Sequence, residues 1–211
     1  ADSKVELHPE RFSLGSPTSA VVLGTVSRND GSLDLPAAKF ALTLVKENNA
    51  WLIRQASEKA IQQPPAADHL KALEWLIGKW QVENQGSDSA PTLEVSWGAN
   101  RNFIVSKCIT SSNGTQQTDS QVIGWDPRTQ SIVSWHFDCD GGFGYGKWRK
   151  DPEKHWLVDY AGIAANGKPT VAKNIFTEAN SDQFTWQSTG QSADGVPIPD
   201  TATLKLTRAN P

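Results

Sequence analysis

From Trp80 to Arg208 the chain is a succession of ten short β-type runs, and that succession limits the folds open to it more than any other feature. The runs cover residues 80–84, 92–98, 103–110, 117–125, 131–138, 143–149, 155–163, 169–177, 183–189 and 201–208. Between them stand Asn113-Gly114, Asp126-Pro127-Arg128, Asp151-Pro152, Asn166-Gly167, Asn180-Ser181-Asp182 and Asp194-Gly195. These residues tolerate positive φ, fix φ, or bond their own backbone, so each marks a local reversal. Short strands joined locally make an up-and-down barrel or a sandwich. An open sheet this wide would expose two edges of unpaired N–H and C=O groups, so a closed barrel is the expectation.

The approach to the first strand is Leu73-Glu74-Trp75-Leu76-Ile77-Gly78-Lys79-Trp80. The pattern predicts a helix over 67–77, capped by Asp68 and stopped by Gly78, feeding straight into the sheet. The last run ends Leu204-Lys205-Leu206-Thr207-Arg208. In a closed barrel the first and last strands are neighbours. Trp80 and Arg208 are then expected to stack and plug one end, leaving a cup open at the other.

Residues 1–61 carry strand signal only. Residues 19–28 are mostly apolar, Asn29-Asp30-Gly31 reads as a turn, and Phe40, Leu42 and Leu44 alternate on one side of 38–46. Asn48-Asn49 turns the chain into Trp51-Leu52-Ile53, and 5–12 is a further strand candidate. A sheet of three or four strands needs a cover for its apolar face. Either it packs on the second domain or it is the back half of a domain whose helices are missing from the chain. A homodimer or a missing N-terminal segment would supply that cover. Gln62-Gln63-Pro64-Pro65-Ala66-Ala67 is the linker, since paired prolines block helix and ladder alike. The domain division is therefore 1–61, linker 62–67, and barrel 68–211.

A formal net charge of -3 and a pI near 5.8 leave no basic footprint for a nucleic-acid partner. No apolar run approaches the roughly 18 residues of a membrane span. The chain lacks Met and starts Ala1-Asp2-Ser3 without a signal-peptide core. A removed leader or longer segment is the expectation, with the compartment leaning towards export or the periplasm. Cys108 and Cys139 fall on strands separated by a third, too far apart to bridge, and are expected to be free, buried thiols.

Two resemblances rest on these residues. Gly24-Thr25-Val26, Asn29-Asp30-Gly31, Phe40 to Lys46 and Asn49-Ala50-Trp51-Leu52-Ile53 resemble the closing strands of the SnoaL-like, ketosteroid-isomerase-like cone. Ala50 stands where that family usually has Gly. With the helical half absent, the resemblance carries over no activity. Leu76-Ile77-Gly78-Lys79-Trp80 with Arg208 is similar to the calycin barrels, which include lipocalins, fatty-acid-binding proteins and nitrobindin-like proteins. Further matches, Ile123-Gly124-Trp125-Asp126-Pro127, Ser134-Trp135-His136-Phe137-Asp138 and Gly144-Tyr145-Gly146-Lys147-Trp148, are to a bacterial group of such barrels. Ten strands suit the fatty-acid-binding and nitrobindin type. The resemblance implies a mainly β protein: a ten-stranded antiparallel up-and-down barrel with a short N-terminal helix, preceded by a partial cone sheet.

Alternation over 131–138 puts Ile132, Ser134, His136 and Asp138 on one face and Val133, Trp135, Phe137 and Cys139 on the other. The apolar set is the more natural interior. The opposite orientation would give the cup a titratable polar end in His136 and Asp138. Trp135, His136, Asp138, Phe143, Tyr145 and Trp148 are the ligand-binding candidates, the last three bordering a glycine-rich hairpin, 141–146, that bends at the rim. Trp97, Trp135, Trp156 and Trp186 at strand positions read more naturally as core than as a ligand platform.

His8, His69, His136 and His155 have no metal-ligand spacing, and no nucleophile elbow or Walker motif occurs. No His follows His155 in the late barrel, where nitrobindin-like proteins place their axial ligand, which argues against haem. The expectation is a non-enzymatic binding module for a small apolar molecule, without cofactor or metal. The alternatives are an accessory part of a SnoaL-like enzyme and an assembly protein using the first sheet.

Overall fold

The computed structural model describes residues 4–29, 36–61, 64–83, 90–112 and 114–209. The chain divides into two compact units, Ala1–Gln63 and Pro64–Pro211. Parts of three sequence signals, Asp30-Gly31, Gln62-Gln63 and Asn113, lie outside the described residues.

The first unit is an antiparallel meander of β1 (Lys4–Ser16), β2 (Ser19–Asn29), β3 (Pro36–Glu47) and β4 (Ala50–Ala60), in that spatial order. Asn48 and Asn49, at φ 48° and 66°, make the β3–β4 turn, a conformation in which Asn costs little. Register places Val22 and Val26 opposite Leu42 and Ala38, and Gly24 opposite Phe40. The Phe40 ring lies 2.9 Å from where a Cβ on Gly24 would stand, so the glycine makes room for the ring. Val26, Ala38 and Phe40 are buried, with Val22 and Leu42 packed against them. Phe12, Leu14 and Ile53, in contrast, stay 58–64% exposed.

The second unit opens with α1 (Ala66–Leu70), which tightens into a 3-10 turn over Lys71–Leu76. The predicted cap, Asp68, lies inside the first turn instead. Pro65, extended at φ -54° and ψ 147°, is the N-cap residue, and its carbonyl accepts the Asp68 N–H at 2.9 Å. Extended Pro65 serves as the cap residue without a side-chain bond, and the helix starts one residue earlier than expected.

Strands β5 (Gly78–Val82), β6 (Thr92–Trp97), β7 (Phe103–Ser112), β8 (Thr115–Asp126) and β9 (Ser131–Phe137) follow in a meander. It continues through β10 (Phe143–Lys150), β11 (Trp156–Ile163), β12 (Pro169–Asn180) and β13 (Gln183–Ala193). A two-residue return, β14 (Val196–Pro197), precedes β15 (Leu204–Arg208), which lies between β13 and β5. Antiparallel pairing of β15 with β5 closes ten strands into a barrel. Among the described residues no helix is long and apolar enough to cross a membrane.

The helical segment plugs one end. Leu70, Leu73 and Leu76 are buried there with Trp80, whose indole N–H donates to the Leu76 carbonyl at 2.8 Å. The Arg208 guanidinium lies 4.3 Å from the Trp80 ring centre and donates to the carbonyls of Ile77 (2.8 Å), Trp75 (3.5 Å) and Ser181 (2.8 Å). Gly78 has φ +141°, and a Cβ there would collide with that guanidinium. Gly-x-Trp is therefore a packing requirement of the plug. His69 stacks on Trp125 at 3.8 Å with parallel rings beside it. Among the described residues, the indole N–H of Trp75 and Nε2 of His69 are buried without a hydrogen-bond partner.

Removing the guanidinium leaves three carbonyls short of a donor and ends the cation–π contact. Arg208→Met should cost roughly 2–3 kcal/mol, and Gly78→Ala about as much through strain and displacement of Arg208. Urea unfolding followed by indole fluorescence would show both as lower midpoints with an unchanged slope.

Candidate functional site

Within the barrel, alternation gives each strand one inward face, and the cross-strand register fixes which residues meet there. Register pairs Cys108 with Asp119, Ser106 with Gln121, and Gln121 in turn with His136. These five side chains line a cavity of about 260 Å³ together with an apolar wall that includes Leu93, Val95, Ile123, Phe176, Phe184 and Leu206. Leu76, at the plug, forms its floor. A concave, mostly apolar space with a few convergent polar groups has the composition expected of a small-molecule site.

His136 is the electrostatic centre of the polar side. The Gln121 amide nitrogen donates to His136 Nε2 at 2.7 Å, which leaves the ring proton on Nδ1. Burial pushes the imidazole down to about 4, against the opposing pull of the Asp119 carboxylate. His136 is thus neutral at physiological pH. Asp119 Oδ1 accepts the Cys139 backbone N–H at 2.9 Å. Burial, then the charges of Asp119 and Asp140, raise the Asp138 carboxyl. Burial, then Asp119, raises the Cys108 thiol.

The glycine-rich stretch has a different job from the one expected. Gly144 and Gly146 lie in regular β10, facing inward opposite His136 and Ser134. A Cβ on Gly144 or on Gly162 of β11 would collide with the Tyr160 ring. The missing side chains let that ring lie flat on the sheet, edge-on to His136 at 5.5 Å. Gly141, at φ +98°, and Gly142, whose carbonyl accepts the Asp138 N–H at 2.8 Å, serve the hairpin turn itself. Beneath, Trp148 is buried, donates to Ser134 Oγ at 3.0 Å and stacks on Phe176 at 5.1 Å.

The preferred orientation of the 131–138 strand is reversed. Ile132, Ser134 and His136 point inward, whereas Trp135 (38% exposed) and Phe137 (53%) lie outside. Phe143 and Tyr145 lie outside with them, Phe143 facing Phe137 and Tyr145 facing Trp135 across the β9–β10 ladder. Trp135 and Tyr145 meet edge to face at 6.2 Å. The physical reason is volume. The interior here already holds Tyr160, His136 and Gln121, and only glycines on β10 leave space for them. Of the six ligand-binding candidates, His136 and Trp148 line the cavity, Asp138 is exposed at the end of β9, and Trp135, Phe143 and Tyr145 are outer-face residues. Cys139 is exposed rather than buried, because it follows the outward parity of Phe137; both thiols are free.

Sequence reasoning missed Cys108, Asp119 and Gln121. Counting register back from the β8–β9 and β7–β8 hairpins would have aligned them with His136. Among the described residues, Asp151, Glu153 and His155 bring their ligand atoms within 4.8 Å of one another. Both Asp151 oxygens are engaged there: His155 donates its backbone N–H to one at 2.8 Å, and Nδ1 lies 3.0 Å from the other. The group is a staple of the β10–β11 turn. Among known proteins, no family model matches the chain and no curated protein is a recognisable relative.

The folded value of about 4 for His136 lies below its unfolded value near 6.5, so the unfolded chain takes the proton first as pH falls. The group's contribution is flat above about pH 7, and stability declines between about pH 6.5 and 4 by at most about 3 kcal/mol. His136→Gln should flatten that part of the stability profile relative to the native protein. Urea midpoints measured at steps across the window would reveal it, and equal slopes in both proteins would contradict it.

Proposed function

We propose that the barrel is a binding module for a small apolar or amphipathic molecule, of calycin type, with no catalysis of its own. The observation that carries this reading is the 260 Å³ cavity, floored by Leu76, walled by aliphatic and aromatic side chains, and polar along one side at Ser106, Cys108, Asp119, Ser120, Gln121 and His136. Apolar area removed from water drives entry at roughly 25 cal/mol per Å², while the polar side orients the head of the guest. A neutral His136 with its Nε2 already bonded is a fixed wall element and makes a poor proton shuttle. Gly78, Trp80 and Arg208 support the calycin assignment as a structural plug, away from the binding space.

A second reading concerns the first unit. Val5, Leu7, Phe12, Leu14 and Ile53 are 49–64% exposed, an apolar array larger than isolated surface residues would make. That observation favours an assembly role for the sheet. Sedimentation at micromolar concentration would show self-association, and a monodisperse monomer would remove the reading. The proposed place of this sheet as part of a SnoaL-like cone, and an accessory role beside such an enzyme, rest on the sequence resemblance alone.

Octan-1-ol is a suitable first probe, with an expected Kd on the order of 10–100 μM. Leu93→Trp, which places an indole in the space, should weaken it at least about tenfold. Bound octanol should also slow alkylation of Cys108, while exposed Cys139 reacts at its usual rate. Heatless calorimetric titrations together with unprotected Cys108 would overturn the proposal.

A further inference from the structure

The charge arrangement of the cavity points to more than size and apolarity. Resting on the binding reading above, we propose that the cavity selects an apolar molecule with a protonated amine head, held by Asp119, and rejects the carboxylate of the same skeleton. Among the described residues, the cavity lining contains no Lys and no Arg. Its polar members are Ser106, Cys108, Asp119, Ser120, Gln121 and His136. Of these only Asp119 carries charge at neutral pH, because burial keeps His136 neutral. A carboxylate guest would meet no cation there and would face a fixed anion at close range.

The acceptors are arranged for a donor-rich head. Asp119 Oδ1 is anchored by the Cys139 N–H at 2.9 Å, so the carboxylate has a set position on the cavity wall. The Cys139 thiol bonds the same carboxylate, and the lone pairs that remain on its two oxygens can accept further donors. Gln121 spends its amide N–H on His136 Nε2, and its amide oxygen remains an acceptor beside Asp119 on β8. An ammonium group offers three donors and a compact charge to such a pair. Further out, Asp138 and Asp140 add negative potential. The Asp138 carboxyl is raised by burial and by both neighbouring carboxylates. Among the described residues none of the three aspartates forms an ion pair with Lys, Arg or His. The field at this side of the cavity is therefore uncompensated, and it concentrates cations and repels anions.

The test is a matched series, octylamine, octan-1-ol and octanoate, titrated calorimetrically into the full chain at pH 7 in low salt. Octylamine is expected to bind at least about tenfold tighter than the alcohol, and octanoate weaker than both. Raising ionic strength should erode the amine's advantage and leave the alcohol's affinity in place. Asp119→Asn, which keeps an oxygen for the Cys139 N–H, should remove most of the difference between amine and alcohol. Near-ultraviolet circular dichroism would establish that the variant is folded. Equal affinities across the series, or tightest binding of octanoate, would overturn the amine proposal and leave the binding module standing. An amine preference that persists in Asp119→Asn or at high salt would overturn the role of Asp119. No binding by any of the three would count against the binding module itself.

Discussion

The guanidinium of Arg208 donates to the Ile77 carbonyl 131 positions away in sequence, and the closed barrel depends on that junction. The same cation covers the Trp80 ring and ties the helical plug, through Trp75 and Ile77, to the last strand. It also holds the β12–β13 turn at Ser181. One side chain thus ties three parts of the fold together at the seam that the β15–β5 pairing closes. Gly78 is part of the same device, because its backbone conformation and missing side chain are both needed for Arg208 to reach. The cavity exists because this end is sealed: Leu76, anchored by the Trp80 indole at its carbonyl, becomes the floor.

Above the floor, space decides chemistry. Glycines at 144 and 162 let Tyr160 lie against the wall, and Tyr160 in turn flanks His136. With His136 dehydrated and already accepting from Gln121, the polar side of the cavity is left with Asp119 as its charge. The same volume constraint turns Trp135, Tyr145, Phe137 and Phe143 out of the barrel, where they pack on one another across two strands. That strip and the exposed apolar residues of the first sheet are the two places where large side chains meet solvent in numbers.

Much of the architecture was legible in the chain. Turn chemistry at Asp126-Pro127, Asp151-Pro152, Asn166-Gly167 and Asp194-Gly195 delimited the strands to within a few residues, because reversals are local events governed by local backbone preferences. The meeting of Trp80 with Arg208 followed from closure, a topological consequence of strand count. The orientation of β9 did not follow from its own alternation. Its two faces, Ile132-Ser134-His136 and Val133-Trp135-Phe137, differ too little in their demands for one strand to choose between them. Cys139 went with that error, and the helix begins at Ala66, one residue before the expected start, with extended Pro65 and not Asp68 at the cap.

By itself, the sequence pointed to a sheet of three or four strands followed by a ten-stranded barrel with a short helix at its entry. Periodicity and turns are properties of neighbouring residues, and closure follows from the cost of open edges. Only the tertiary structure decided what the barrel encloses. The inward face of β9 is set by its neighbours, by the bond from Gln121 and by the room that Gly144 and Gly162 leave for Tyr160. Those residues lie on different strands, and their register, not their order along the chain, brings Asp119, Gln121 and His136 to one wall.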